Sequence, residues 1–365
     1  MADTPRILFI GDLNYYSKGA SRLRAVERLG AEVRALSHAA LGDADRGYVP
    51  PTLAFRIGWK LGFHLDSEGV NAEALAAAQD FRPNVVWIEK GNMIRPATLA
   101  RIHALAPGAV ICSYTDDDMF NRLNHTWFYR RGLKHYDIVF STKSFNANAD
   151  ELPALGARRV ILVDKAYDAE QHYPIDITDE ERRAYGADAG FIGSFEAERA
   201  ETMAHLARAG IQVRIWGNGW DGFNPGIETL TVERAPLMNT PDDARYTKGI
   251  RATTINLGFL RKENRDLQTD RSVEIPACGA FMLAEWSEEH ERLFTPGEEA
   301  AYFTSLDDLV AKARHYLDHP DECARIAQAG RVRTVESGYS LDGRMKVMIE
   351  TALRVGRGEE VGPRV

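Results

Sequence analysis

The chain has 365 residues, 44% of them hydrophobic and 27% charged. That is the composition of an ordinary soluble globular protein, and more chain than one core usually serves, so two domains are expected. A formal net charge of −8 argues against a general nucleic-acid or anionic-membrane binder, while leaving room for local basic spots.

Cys112, Cys278 and Cys323 lie far apart and form no CxxC pair. That spacing speaks against a disulfide framework or a structural zinc site and fits a reducing cytoplasm. The N-terminus is a polar tail followed by a short apolar run, without the long apolar core of a signal peptide. No apolar stretch approaches the roughly 20 residues of a membrane span.

Residues 6–11 form a short apolar run that ends in Gly11-Asp12, a first buried strand. Residues 17–29 carry Ala20, Leu23, Val26 and Leu29 at helical spacing, and Gly30 stops them. Residues 32–36 read as a strand, 70–81 as a helix and 84–89 as a buried strand. Strands at 109–114, 138–141 and 160–163 continue the series, with helices between them. This alternation means βαβ units and a parallel sheet. Residues 168–185 are rich in charge, contain Pro174 and lack periodicity, which predicts an interdomain crossover.

The pattern then restarts, with a strand at 190–193, a helix at 197–209 and a strand at 212–216. Later strands are expected at 254–257, 281–284 and 301–303, and helices at 306–317, 321–337 and 341–353. A frayed tail is expected after Gly356. The fold class is therefore α/β, two Rossmann-like halves with C-terminal helices. The expected domains are 1–170, a crossover at 171–186, a second domain at 187–338, and a C-terminal helix and tail at 339–365.

Three segments of the second half could carry chemistry. In DLQTDRSVEIPACGAF, Glu274 sits among Val273, Ile275, Ala277 and Cys278, an apolar setting in which a glutamate is seldom accidental. An ionised carboxylate there can accept two short hydrogen bonds from a ribose diol, and Arg271 can reach a phosphate. Cys278 reads as a small core residue, not a nucleophile. In FIGSFEAER a strand ends in Gly193-Ser194 and a helix follows, so free N–H groups, the Ser194 hydroxyl and Arg199 could hold phosphate. The competing reading is an ordinary turn with Ser194 as helix cap. In Trp216-Gly217-Asn218-Gly219-Trp220 the glycines would let backbone approach a flat ligand, with Trp216 or Trp220 stacked on it.

In the first half, Gly11-Asp12-Leu13-Asn14 lacks GxGxxG, so the NAD-binding fingerprint is missing and a dehydrogenase is disfavoured. Gly11 and Asn14 remain candidate nucleotide contacts. Glu89-Lys90-Gly91 ends a strand at an expected cleft edge. Asp116, Asp117 and Asp118 end the next strand, where three acids could bind a divalent cation, act as base or acceptor contact, or cap a helix. His38, His64, His125 and His135 are scattered and read as structural or surface residues.

The segments FIGSFEAER, VRIWGNGW and RSVEIPACGAF, and in the first half VWIEKGNMI and SYTDDDMF, resemble CgeB-like (spore-maturation type) glycosyltransferases of the GT-B fold. The resemblance spans most of the chain. It implies two Rossmann-like domains facing each other across a cleft. A nucleotide-diphosphate sugar, UDP-sugar by prior, binds the C-terminal domain, and an acceptor binds the N-terminal one. It implies hexosyl transfer without metal or cofactor. Glu274 matches the ribose-holding second acid of a Glu-x7-Glu pattern, whose first acid falls on the shorter Asp266. Arg199 and Arg271 match positions facing the diphosphate, and Trp216-Gly217 a position near the base. Lys90 and Asp116 fall on the acceptor side, with Asp117 or Asp118 as the base of an inverting reaction. The acceptor is open among polysaccharide, protein, lipid and small molecule, and nucleic acid is not expected. The alternatives are a GT-B-like UDP-sugar epimerase and a non-catalytic nucleotide-sugar-binding protein.

Overall fold

The computed structural model describes residues 4–41, 52–60, 65–240 and 243–365, so His64 lies outside the described residues. The chain divides into two compact units, Met1–Asp164 with Leu341–Val365, and Lys165–Ser340. The division falls before the expected 170, and residues 341–365 join the first unit.

The first unit runs β1 (Arg6–Gly11), α1 (Lys18–Arg28), β2 (Glu32–Ser37), α2 (Leu53–Lys60), α3 (Val70–Phe81), β3 (Val85–Glu89), α4 (Pro96–Leu105), β4 (Val110–Thr115), α5 (Trp127–Gly132), β5 (Ile138–Ser141) and β6 (Val160–Leu162). Its sheet is parallel throughout, in the order β2-β1-β3-β4-β5-β6. β3 and β4 are buried along their whole length and β1 at all but its first residue, as apolar runs covered on both faces must be. Ser17 caps α1 by accepting from the Ala20 N–H, and Thr126 caps α5 in the same way.

The C-terminal helix α13 (Leu341–Gly356) packs against α1, β3 and β4, with Arg28 Nε 3.0 Å from Asp342 Oδ2. The residues beyond it are not frayed. Leu162 N–H donates to the Pro363 carbonyl at 2.8 Å, Val365 N–H donates back to Leu162 O at 3.0 Å, and Arg364 pairs with Asp164. The tail occupies the outer edge of β6, satisfying backbone groups that an edge strand would otherwise expose.

The second unit runs α6 (Asp179–Tyr185), β7 (Ala187–Ile192), α7 (Ala197–Arg208), β8 (Val213–Trp216), β9 (Leu230–Val232), α8 (Arg245–Ala252), β10 (Thr253–Gly258), α9 (Arg271–Ala277), β11 (Met282–Glu285), α10 (Glu288–Leu293), β12 (Ala301–Phe303), α11 (Leu306–Asp318) and α12 (Pro320–Glu336). Its parallel sheet has the order β12-β11-β10-β7-β8-β9. Within the expected irregular crossover, α6 forms because Thr178 and Glu181 make a reciprocal capping box. In each sheet the order reverses once, between β1 and β3 and between β7 and β10. In such sheets ligands bind beyond the carboxyl ends of the strands at that reversal.

Candidate functional site

In the second unit, the loops leaving β7 and β8 are zipped together. Gly193 N–H donates to Trp216 O at 2.8 Å, Phe195 N–H to Asn218 O at 2.9 Å, and the Trp220 indole N–H to Gly193 O at 2.8 Å. Gly217 stands at φ +151°, and a Cβ there would overlap the Gly193 carbonyl. The glycines thus serve a backbone-to-backbone approach. Trp216 and Trp220 are both buried. Trp220 packs among Phe191, Phe195 and Phe223, and Arg214 lies over Trp216. The expected stacking of an indole on a ligand is therefore corrected, because both rings are spent on the core.

Ser194 does not cap α7. Glu196 occupies that position and no side chain caps the helix, so its first-turn amides keep the partial positive charge of a helix start. Arg199 reaches the Ser194 carbonyl at 3.2 Å and Glu196 at 3.3 Å, while its Nε is buried without a hydrogen-bond partner. Burial, only partly offset by Glu196 and Asp266, lowers the Arg199 pKa. Arg261 also reaches Glu196, at 3.2 Å.

Glu274, on α9, is 2% exposed. The Tyr246 hydroxyl donates to its Oε2 at 2.6 Å, Arg271 pairs with the same oxygen, and His172 Nε2 lies 3.8 Å from Oε1. Arg271 also donates from Nε to the Ile192 carbonyl at 2.8 Å, which ties α9 to the end of β7. Its guanidinium sits 5.0 Å from the centre of the Tyr246 ring. Burial lowers the Arg271 pKa, but Tyr246, Glu274 and Asp270 outweigh it and hold the group above its usual value. Burial raises the Tyr246 hydroxyl, so it stays a donor. Arg271 and Glu274 are thus partners of each other, not two independent ligand contacts. Asp266 accepts from the Asn264 amide at 2.8 Å. The Cys278 thiol is buried and pushed up to about 12 by burial and then by Glu274, which makes it a packing residue.

The first unit carries a cavity of about 850 Å³ at the carboxyl ends of β1, β3 and β4, where the sheet order reverses. Asp12, Glu89, Lys90, Tyr114, Asp116 and Asp117 line it, with Arg22 from α1 and Phe55 and Trp59 from α2. Arg22 and Glu89 are 6% and 7% exposed and form a two-point ion pair. The Trp87 indole N–H donates to Glu89 at 2.8 Å, and Arg22 lies 4.3 Å from the Tyr114 ring centre and 3.4 Å from Asp116. Burial lowers the Arg22 pKa, but Glu89, Tyr114 and Asp116 reverse the sign and raise it well above its usual value. A Cβ at Gly11 would stand 2.8 Å from Glu89 Cγ, so that position must be glycine for Glu89 to lie over the end of β1.

The three adjacent acids point to three different partners. Asp116 accepts from the Tyr114 hydroxyl at 3.0 Å. Asp117 pairs with Lys90 Nζ at 2.6 Å. Lys90 takes a left-handed backbone, φ +59°, followed by Gly91 at +73°. Asp118 is 1% exposed and accepts from Phe120 N–H and the Asn146 amide, so it braces a loop and does not line the cavity. That removes Asp118 from the base candidates. Among the described residues no group of three or more His, Cys, Asp or Glu could hold a metal ion.

Gly11 and Asn14, expected with the nucleotide, belong to the first unit, and the Asn14 side chain is spent on Asp12 and the Ala40 carbonyl. His125 donates from Nδ1 to the Met119 carbonyl at 2.8 Å, and burial lowers the pKa of His125, His135 and the cavity-lining His38. Sequence reasoning missed Arg22, His172 and Tyr246. Arg22 shares the buried face of α1 with Gly19, Ala25 and Val26, a cation at a core position that could have been noticed. His172 and Tyr246 are distant in sequence from Glu274 and leave no local signal.

Residues 199–350 match the model of a family described as glycosyl transferase-like. No curated protein matches. Among solved structures, sucrose-phosphate synthase from Thermosynechococcus elongatus is similar at 11% identity and a TM-score of 0.62, over 97% of this chain and 100% of that one. HepE of Anabaena in complex with UDP is similar at 11% identity and 0.57, over 95% and 99%. An α-glucosyltransferase in complex with UDP and a 13-mer DNA is similar at 12% identity and 0.66, over 96% and 99%. At these identities the likeness is one of fold, and the fold is GT-B.

Proposed function

We propose that the protein is a glycosyltransferase that moves a hexosyl group from a nucleotide-diphosphate sugar to an acceptor hydroxyl, with the donor on the second unit and the acceptor in the cavity of the first. The observation that carries this reading is Glu274, a nearly inaccessible carboxylate held at the β7 end by Arg271 and Tyr246 with His172 alongside. A carboxylate fixed by donors is positioned to accept a ribose diol without reorganising. The match of residues 199–350 to a glycosyl transferase-like family covers this segment, and the UDP bound in HepE supports UDP as the carrier. The quoted motifs support a CgeB-like type, and the free cysteines support a cytoplasmic setting.

As the glycosidic C–O bond breaks, negative charge builds on the departing diphosphate. The uncapped start of α7 and Arg199, with its unpartnered buried Nε, would neutralise it in place of a metal. Asp117, oriented by Lys90, would take the proton of the acceptor hydroxyl in an inverting reaction.

The test is UDP binding by calorimetry and sugar transfer in EDTA across a panel of UDP-sugars and acceptors. UDP binding with EDTA-resistant transfer is expected. Absence of UDP binding, or activity restored only by Mn²⁺, overturns the reading, and an isomerised sugar from donor alone points instead to an epimerase.

A further inference from the structure

We infer that the apolar and basic residues bordering the first unit's cavity form a docking face for an anionic lipid bilayer. The helix α2 buries none of its residues. An eight-residue helix is too short to be stable by its own hydrogen bonds, so a helix this apolar calls for a surface to lie on. Leu53 and Ile57, one turn apart, are 70% and 51% exposed, and Arg56 and Lys60 form a second stripe one position back from each next turn. At about 100° per residue Arg56 and Lys60 lie beside Leu53 and Ile57, while Phe55 and Trp59, which line the cavity, are on the opposite side; an exposed aliphatic pair flanked by long basic side chains suits a helix lying in a membrane interface.

A second segment repeats this chemistry and is joined to a residue that lines the same cavity. Between β4 and α5, Leu123 is 89% exposed, and Trp127 is exposed at the start of α5. Arg122, Arg130 and Arg131 are exposed beside them, and the Arg131 guanidinium lies 4.5 Å from the Trp127 ring centre. Thr126 N–H donates to Asn92 Oδ1 at 3.1 Å, and Asn92 lines the cavity, so the segment is anchored to its wall.

Charge decides between occupants. The chain carries a net −8, yet these two segments present Arg56, Lys60, Arg122, Arg130 and Arg131, with Lys18 on the rim. Glu68 stands among them, while Asp66 is spent capping α3. Each basic residue near an anionic leaflet is attracted to it, and Trp with Lys or Arg suits the headgroup layer. Two separate exposed apolar segments fit a fluid surface better than one rigid groove. No helix among the described residues is long and apolar enough to cross a membrane, so the contact is at the surface. The net charge alone argued against an anionic membrane, but its local distribution reverses that argument. A cavity opening beside a bilayer suits a lipid-borne acceptor, a consequence that rests on the proposed transfer, whereas the docking itself does not.

The experiment is co-sedimentation of the full chain, without donor, with phosphatidylcholine vesicles that contain or lack a quarter of phosphatidylglycerol. Binding to the anionic vesicles, weakened by salt, is expected. Leu53→Ser/Ile57→Ser/Leu123→Ser is expected to lower partitioning by at least about tenfold. Its melting temperature and UDP affinity should not change, since all three side chains are exposed. Arg122→Glu/Arg131→Glu, a second and independent variant, is expected to abolish the preference for anionic vesicles. No binding, equal binding to both vesicle types, or unchanged binding by the triple serine variant overturns the proposal. A dimer in vesicle-free solution that the triple variant dissociates also overturns it, making the face a contact between copies. Loss of UDP binding with vesicle binding intact would count against the transferase reading alone.

Discussion

Arg22 grips Glu89 with two hydrogen bonds, Nε to Oε1 at 2.8 Å and Nη2 to Oε2 at 2.6 Å, at the point where the strand order of the first sheet reverses. The pair forms the buried floor of the cavity, and it reaches Asp116 through Arg22 and Trp87 through Glu89. Desolvating two charges is costly, so their mutual attraction and extra hydrogen bonds must offset that cost.

Breaking one side should therefore cost more than removing both. Glu89→Leu and Arg22→Met are each expected to destabilise the protein by about 3–5 kcal/mol, because each leaves an uncompensated buried charge. Arg22→Met/Glu89→Leu should be less destabilised than the sum of the single variants. Denaturant unfolding of the four proteins closes the cycle, and simple additivity would show that the two groups are not coupled.

The parallel alternation was legible because buried strands such as Val85–Glu89 and Met282–Glu285 are short apolar runs between amphipathic helices. The helix α6 was not, because its capping box lies in a charged stretch without apolar periodicity. The C-terminal tail looked loose, and its pairing with Leu162 joins residues some two hundred positions apart, which no local pattern records. At the site, the apolar neighbours of Glu274 announced its burial, but Tyr246 and His172 come from other elements. The two tryptophans misled for a physical reason. Glycines beside aromatic residues suit both a ligand platform and a tight strand-end junction, and only the positions of the Gly193 and Trp216 carbonyls separate the two.

Glu274→Ala is expected to weaken UDP binding by about 1–3 kcal/mol, the cost of losing charged hydrogen bonds to a buried diol. Tyr246→Phe removes one of the donors that fix the carboxylate but not the carboxylate itself. It should weaken binding by a smaller amount, about 1 kcal/mol. Calorimetry with UDP ranks the two variants. A Tyr246→Phe protein as impaired as Glu274→Ala would mean that the phenol, not the carboxylate, meets the ligand.

Gly217→Ala should destabilise the second unit by at least about 2 kcal/mol, since the new methyl meets the Gly193 carbonyl and the backbone is in a region L side chains rarely adopt. Gly222→Ala, where a Cβ meets nothing nearby, is the control and should be close to neutral. Thermal unfolding compares them. Equal effects would show that the two loops separate easily and that their zipped arrangement is not a fixed feature.

His290 makes a prediction about pH. Its Nδ1 lies 2.7 Å from the Glu285 carbonyl, which can only accept, so Nδ1 carries the proton. Nε2, 2.6 Å from Ser272 Oγ, then accepts from that hydroxyl. Ser272 lies in α9, so the neutral ring helps to hold the helix that carries Arg271 and Glu274. Burial pushes the His290 pKa down to about 4, against roughly 6.5 in an unfolded chain. Between those values the unfolded chain binds a proton that the native protein refuses. The stability due to His290 is therefore fully present above about pH 6.5 and is lost as pH falls toward 4, by on the order of 3 kcal/mol in all. His290→Gln removes this titration. The stability advantage of the unaltered protein over the variant, read from denaturant unfolding, should be largest near neutrality and shrink steadily into acid. A difference that stays constant across that range would mean that the imidazole is protonated in the native state, and the Ser272 hydroxyl would then have to accept rather than donate.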